Sequence, residues 1–252
     1  MYFVRENGTQ GSICYGVTLR LKLIMLPMID FVNVLLQSSF LDLVSSSEHL
    51  LSSAKIHISQ QTDYPWSGNI RFEIQTAGKF GLYLRKPGWC QAEVTLTVNE
   101  ETVQPEFTSG NYIRVEREWK TGDILELEMP MFVRKMASHP FVVENQGRVA
   151  LMRGPLVYCL ENIDHSIDVR LIALPASSEP KDQFHPELLG GVVALYGEGR
   201  VSADKVSWGN KLYKPFDTIP PVGSQTVSIM VIPYYAWANH TPGAMQIWLP
   251  VI

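Results

Sequence analysis

From Lys55 onward, apolar and polar residues alternate with a period of two, the pattern of strands with one dry face and one wet face. Ile56 and Ile58 alternate with His57 and Ser59, and Ile70, Phe72 and Ile74 with Arg71, Glu73 and Gln75. Phe80, Leu82 and Leu84 follow, then Val94, Leu96 and Val98 around Thr95 and Thr97. Ile113 and Val115 alternate with Arg114 and Glu116, and Leu125, Leu127 and Met129 with Glu126 and Glu128. Turn-forming stretches separate these runs: PWSG from Pro65 to Gly68, Pro87-Gly88, Asn99-Glu100, Ser109 to Asn111, and Thr121 to Asp123. Helical periodicity is absent over the same region. Short, regularly spaced strands of this kind predict antiparallel sheets stacked as a sandwich.

A second group of strands begins near Met136. Gly147 to Leu160 reads as two apolar strands broken by Arg153-Gly154-Pro155. Asp164 to Glu187 is polar and predicts loops with one strand. Gly190 to Leu195, Val206 to Trp208, Lys211 to Phe216, Thr226 to Ile232, Tyr234 to Asn239 and Met245 to Leu249 read as further strands. The expected fold class is therefore all-β, with two packed antiparallel β-sandwich domains over residues 55–135 and 136–252. No flexible linker lies near residue 135, so the two are expected to pack tightly.

Residues 1–54 do not share this pattern. Leu21 to Leu36 is apolar, but Lys22, Pro27, Asp30 and Asn33 interrupt it. A membrane span needs about 20 predominantly apolar residues, and the run fits a signal peptide poorly. Ser38 to Ser53 is rich in serine and leucine and weakly helical in character. The segment is expected to be partly helical or disordered.

Composition narrows the function classes. The chain is 46% hydrophobic and 18% charged, which fits a folded soluble protein. The net charge is -4 with no basic run, so neither nucleic acid nor a membrane is expected as a partner. Cys14, Cys90 and Cys159 lie far apart and form no C-x-x-C, so no zinc ribbon or disulfide framework is encoded.

Candidate chemistry is sparse. Glu116, Glu118, Glu126 and Glu128 share the outward phase on two strands joined by Thr121-Gly122. Glycoside hydrolysis needs two carboxyl groups about 5 to 9 Å apart, but such a set more often forms a solvated face, here with Arg114 and Lys120 nearby. His49, His57, His139, His165, His185 and His240 show no metal-ligand spacing. Cys159, between Tyr158 and Leu160, reads as a packing residue. Arg153 reads as the partner of an acid such as Glu161 or Glu144, beside a bend fixed by Gly154-Pro155. Trp66, Trp89 and Trp119 lie beside turns and could form a sugar-stacking face or plug the sandwich edges. The run from Tyr234 to Trp237 reads as core and interface.

Four segments carry a family resemblance: QTDYPWSG from Gln61 to Gly68, LRKPGW from Leu84 to Trp89, GRVALMRGPLVYC from Gly147 to Cys159, and IPYYAWAN from Ile232 to Asn239 leading to MQIWLP from Met245 to Pro250. In this order over residues 55–252 they resemble the C-terminal region of glycoside hydrolase family 127, the β-L-arabinofuranosidases. Ser67, Lys86 and His240 depart from the usual family residues, and residues 1–54 lie outside the resemblance.

The resemblance implies a longer enzyme in which an α/α barrel precedes two sandwiches. That barrel would hold a zinc-bound cysteine nucleophile and a glutamate acid/base, drawn from adjacent cysteines, a further cysteine and two glutamates. Those positions do not exist here. No residue of this chain is therefore assigned a catalytic, cofactor-binding or metal-ligating role. The expected function is the non-catalytic sandwich region of such a hydrolase, on a truncated chain. Its implied partners are the missing catalytic barrel and arabinose-containing plant glycans, and the face left open should promote self-association. A stand-alone carbohydrate-binding module is the alternative, and would require two or more coplanar, exposed tryptophans on one sheet face.

Overall fold

The computed structural model describes residues 34–37, 56–201, 210–219, 225–237 and 243–252, together with 223 and 239. The strand expected over Val206 to Trp208 lies outside the described residues, as do Cys14, His49 and His240. The described chain is all-β: its strands form three antiparallel sheets, and its only helical turns are single 3-10 turns. No helix among the described residues is long and apolar enough to cross a membrane. The chain divides into two compact units, Met1–Pro130 and Met131–Ile252.

Nine strands build the first unit: β1 (Val34–Gln37), β2 (Ile58–Thr62), β3 (Asn69–Ile74), β4 (Gly78–Arg85), β5 (Thr95–Val98), β6 (Glu101–Thr102), β7 (Glu106–Thr108), β8 (Tyr112–Trp119) and β9 (Ile124–Glu128). One sheet runs β1-β4-β8-β7 and the other β2-β3-β9-β5-β6. Four residues of the atypical N-terminal segment thus form an edge strand, β1, paired antiparallel with β4. The apolar phase of each predicted strand turns inward. Ile70, Phe72, Ile74, Leu82, Leu84, Leu96, Ile113, Leu125, Leu127 and Met129 are all buried in one core cluster fed by both sheets. Each such side chain contributes on the order of 1.5–3 kcal/mol by leaving water.

The turns follow from their residues. Asn99 and Glu100 both take positive φ, 51° and 71°, as a two-residue type I′ hairpin between β5 and β6 demands. Gly68 cannot carry a side chain: a Cβ there would sit 1.8 Å from the Met129 carbonyl oxygen. This close approach lets Met129 N–H donate to the Gly68 carbonyl at 3.1 Å, which closes the sheet beside the PWSG turn.

Eight strands build the second unit: β10 (Val133–Ala137), β11 (Arg148–Arg153), β12 (Leu156–Glu161), β13 (Lys181–His185), β14 (Val192–Val201), β15 (Gln225–Pro233), β16 (Met245–Gln246) and β17 (Trp248–Pro250). They form one sheet in the order β10-β11-β12-β15-β14-β13, with β17 on β11 and β16 on β12. Both β11 and β12 change partners along their length. Arg148 to Ala150 face β17, whereas Met152 and Arg153 face β12. Such switching turns a continuous sheet through a corner, and it matches the burial on both faces of β12 and of Val192 to Leu195. Gly154 occupies the first central position of the β11–β12 turn with φ 54°, the place a type II′ hairpin gives to glycine.

Two strand predictions fail here. Lys211 to Phe216 is irregular, and Tyr234–Ala236 is a 3-10 turn, with Ala236 alone of the three buried. Pro233 ends β15, and the aromatic side chains beyond it point outward.

Candidate functional site

The strongest candidate for chemistry was the quartet of glutamates, and the structure separates it. Glu116 and Glu118 stand on β8 in one sheet, Glu126 and Glu128 on β9 in the other. The Thr121-Gly122 turn is a crossover between sheets, not a hairpin. Gly122 N–H donates to the Ile74 carbonyl at 2.8 Å and Ile74 N–H to the Asp123 carbonyl at 2.9 Å, so the chain leaves β8 and joins β3. Because Val115 and Leu127 point into the shared core, the two glutamate pairs project from opposite outer faces. Glu116 is paired with Arg114, and Glu126 with Arg71 at 2.7 Å. These carboxylates form solvated faces and cannot close around one sugar.

Two shallow depressions lie on the first unit. One, of about 280 Å³, is lined by Lys86, Phe107 and Asn111 among others and contains no carboxylate. The other, of about 270 Å³, contains Glu100 and Glu126, but Arg71 already holds Glu126.

The thiols do not fit a zinc or nucleophile site. Cys90 and Cys159 are both buried and lie in different units. Burial pushes the Cys159 thiol up to about 12, and the Glu161 and Asp164 carboxylates add to the rise. A thiol held so far above neutrality is neither a ready nucleophile nor a ready metal ligand. Among the described residues no three His, Cys, Asp or Glu side chains gather as a donor set, so the zinc implied by the family resemblance does not fit these residues.

Each described histidine has a local role or stands in solvent. His165 accepts Met230 N–H at 3.2 Å through Nε2, while its Nδ1 lies 2.7 Å from the Glu161 carbonyl oxygen. His185 Nε2 lies 2.9 Å from the Tyr196 hydroxyl. His139 Nδ1 accepts Phe141 N–H at 3.2 Å, and His57 is exposed.

Arg153 is ion-paired with Asp182, an acid the sequence did not single out. Its Nε and Nη2 both lie 2.9 Å from Oδ2 of Asp182, which stands on β13. Nη1 also lies 3.7 Å from Met131 Sδ. The guanidinium is nine-tenths covered and the carboxylate roughly half so. Asp182 is 29 residues away in sequence, beyond the reach of local pattern.

The tryptophans divide in the same way. Trp119 is 1% exposed, stacks on Phe80 at 5.9 Å and donates Nε1–H to the Phe80 carbonyl at 3.0 Å. It plugs the core. Trp89 packs against that core and donates to the Tyr64 hydroxyl at 3.2 Å; Trp66 is half-buried. No coplanar pair of exposed tryptophans on a sheet face emerges from these three. Trp237 is exposed and lies nearly parallel to Tyr234, but both sit on or beside the 3-10 turn after β15.

Comparison with known proteins brings part of the N-terminal segment inside the family match, against the expectation that all of residues 1–54 lie outside it. Residues 40–131 match the Beta-L-arabinofuranosidase, GH127 middle domain, starting ahead of Lys55, and residues 133–250 match the Glycoside hydrolase family 127 C-terminal domain. The chain is 31% identical over 204 residues to a non-reducing end β-L-arabinofuranosidase of Bifidobacterium longum, covering 76% of this chain and 30% of that enzyme. It resembles the crystal structure of a family 127 β-L-arabinofuranosidase from Geobacillus stearothermophilus T6 with a TM-score of 0.72 and 34% identity, over 87% of this chain and 32% of that one. A second family 127 β-arabinofuranosidase structure aligns with a TM-score of 0.70 at 31% identity, over 79% of this chain and 32% of the other. The chain thus spans about a third of the length of the relatives it matches.

Proposed function

Since the chain belongs to glycoside hydrolase family 127 through its middle and C-terminal domains, we propose that it is the non-catalytic β region of an arabinofuranosidase-like hydrolase, with the bond-cleaving residues on polypeptide outside these 252 residues. The observation that carries this reading is the extent of the match, two β domains amounting to about a third of each relative. The recognisable motifs support it because they do structural work. Arg153 holds Asp182, Gly154 turns a hairpin, and Gly68 admits a neighbouring carbonyl. The two domains would buttress a catalytic part that supplies the carboxylate or thiolate chemistry.

The test is an assay of the purified chain on an aryl β-L-arabinofuranoside, with and without added zinc. The expected outcome is no turnover above buffer. Turnover that a single substitution in this chain abolishes would overturn the reading.

A further inference from the structure

Strand β12 leaves β15 part-way along its length. Tyr158 and Cys159 pair with Pro233 and Ile232 of β15, whereas Leu160 and Glu161 pair with Gln246 and Met245 of β16. Continued along β15, the first register would set Glu161 opposite Met230. The imidazole of His165 stands between those two residues instead. Its Nε2 accepts Met230 N–H at 3.2 Å, and its Nδ1 lies 2.7 Å from the Glu161 carbonyl oxygen. An imidazole that accepts at Nε2 carries its proton on Nδ1, so this ring is neutral and donates to Glu161. It replaces a direct backbone bond at the fork between β12 and β15.

The ring belongs to a strap, residues 162–174, that is anchored on either side of it. Asn162 N–H donates to the Ala244 carbonyl at 2.9 Å, and Val169 N–H to Asn162 Oδ1 at 2.9 Å. Val169, Ile172, Ala173 and Leu174 are buried. Cys159 and Glu161 share one face of β12, and the strap lies near that face, because its Asp164 carboxylate adds to the rise of the Cys159 thiol and of the Tyr196 phenol. Among the described residues, the titratable and charged groups around the ring are Cys159 and Glu161 from β12, Asp164 from the strap, Tyr196 from β14 and His185 from β13. Asp168 and Arg170 of the strap hold each other. β15 and β16 bring no charge.

We propose that His165 makes this strap an acid-sensitive latch. The neutral ring closes the fork by linking Glu161 to Met230. A protonated ring carries hydrogen on both nitrogens and accepts nothing, so Met230 N–H then meets another donor and the link breaks. The Glu161 and Asp164 carboxylates draw the charged ring away from β15, and the strap lifts from beside Cys159. Histidine is the side chain whose ordinary charge change falls between about pH 5 and 8, so mild acid is enough to work the latch. The inference is independent of the function proposed above.

The test uses Cys159, which is fully buried, as the reporter, and Cys90, buried in the other unit, as the reference. The full chain is treated with dithiodipyridine, a disulfide reagent that reacts with thiols in mild acid, at about pH 7.5 and about pH 5.5. Peptide mapping gives the rate at each cysteine, divided by the rate of glutathione at the same pH. The Cys159 rate is expected to rise about tenfold in acid, the scale of one hydrogen bond lost, while Cys90 stays constant. His165→Gln, whose amide oxygen accepts an N–H at either pH, should keep Cys159 slow throughout. His165→Leu, with no acceptor, should make it fast at both. A parent rate that does not change with pH would overturn the proposal. So would a His165→Gln rate that rises like the parent's, which would assign the titration to Glu161, Asp164 or His185. A His165→Leu rate as slow as the parent's at neutral pH would show that the ring does not hold the strap, with the same consequence. If Cys90 and Cys159 rise together as the far-UV strand signal is lost, the whole chain unfolds in acid and there is no local latch.

Discussion

The first unit is dry inside and wet outside, whereas the second carries apolar side chains on its surface and charge in its interior. Of the fifteen large apolar side chains exposed among the described residues, Phe107 alone belongs to the first unit and fourteen to the second. Conversely, two charged side chains, Arg153 and Glu161, are buried within the second unit and one, Asp123, within the first. The first unit meets the requirement of an independent sandwich: each sheet buries one face and hydrates the other. The second exposes large apolar side chains and buries Arg153 and Glu161. The difference teaches that two domains of one strand type, in one chain, can be built for different surroundings.

The comparison breaks most readily at Trp119. If the first unit depends on its dry core, Trp119→Ala should cost about 4 kcal/mol, within the usual range for emptying a buried aromatic position. It also leaves the Phe80 carbonyl without its 3.0 Å donor. The expected reading is a large fall in the urea midpoint of the first unit's transition. A loss below about 1 kcal/mol would mean that this core tolerates a void and is less ordered than its packing indicates.

This contrast also explains what the sequence could reveal. Period-two alternation reports burial, and it identified the inward residues of β3, β4, β5, β8 and β9 because each strand there has one wet face. It does not report pairing. Nothing in the run from Glu116 to Glu128 tells whether the strands either side of Thr121-Gly122 lie side by side or in different sheets, so the glutamate quartet looked like one face. In the second unit alternation itself weakens. β12 and the start of β14 are covered on both sides, and in β11 the neighbours Ala150 and Leu151, on opposite faces, are both buried. The aromatic run from Tyr234 to Trp237 read as core and interface because it is apolar; Tyr234, Tyr235 and Trp237 are each more than a third exposed, so only Ala236 is core. The pairing of Arg153 with Asp182 required tertiary structure; only the need for some acid was legible.

A smaller effect is expected at Asp123, the one charged side chain buried in the first unit among the described residues. Its carboxylate accepts Lys120 N–H at 2.8 Å and the Asn99 side-chain amide at 2.9 Å, and Asn99 in turn accepts Ile124 N–H at 2.9 Å. These bonds, the Lys120 backbone first and then Asn99, hold the Asp123 carboxyl below its ordinary value of 3.8. A folded-state pKa depressed in this way stabilises the fold above the unfolded value and loses that stabilisation as pH falls through the folded value. Asp123→Asn should therefore cost about 1 kcal/mol at pH 7, the scale of a charge-assisted bond exchanged for a neutral one. Urea midpoints at pH 7 and pH 3 should show the gap between parent and variant narrowing in acid. A gap that stays constant with pH would mean that the charge of Asp123 contributes nothing, and that the crossover between sheets is held by backbone bonds alone.

The smallest effect tests the other half of the comparison, polar groups inside the second unit. Tyr158 is 1% exposed, and its hydroxyl has no hydrogen-bond partner among the described residues. Burial raises its pKa well above the ordinary phenol value, with Asp182 and Tyr235 adding to the rise and Arg153 opposing it, so it stays neutral across the accessible pH range. A desolvated hydroxyl without a partner costs free energy that a phenylalanine ring of the same shape does not. Tyr158→Phe is accordingly expected to leave stability unchanged or raise it by up to about 1 kcal/mol, read from the urea midpoint. Arg153 keeps Asp182 in the variant, so the buried ion pair should be undisturbed. A loss of more than about 1 kcal/mol would show that the hydroxyl is held by an ordered water, and that the interior of the second unit is satisfied where its side chains alone leave a polar atom unpaired.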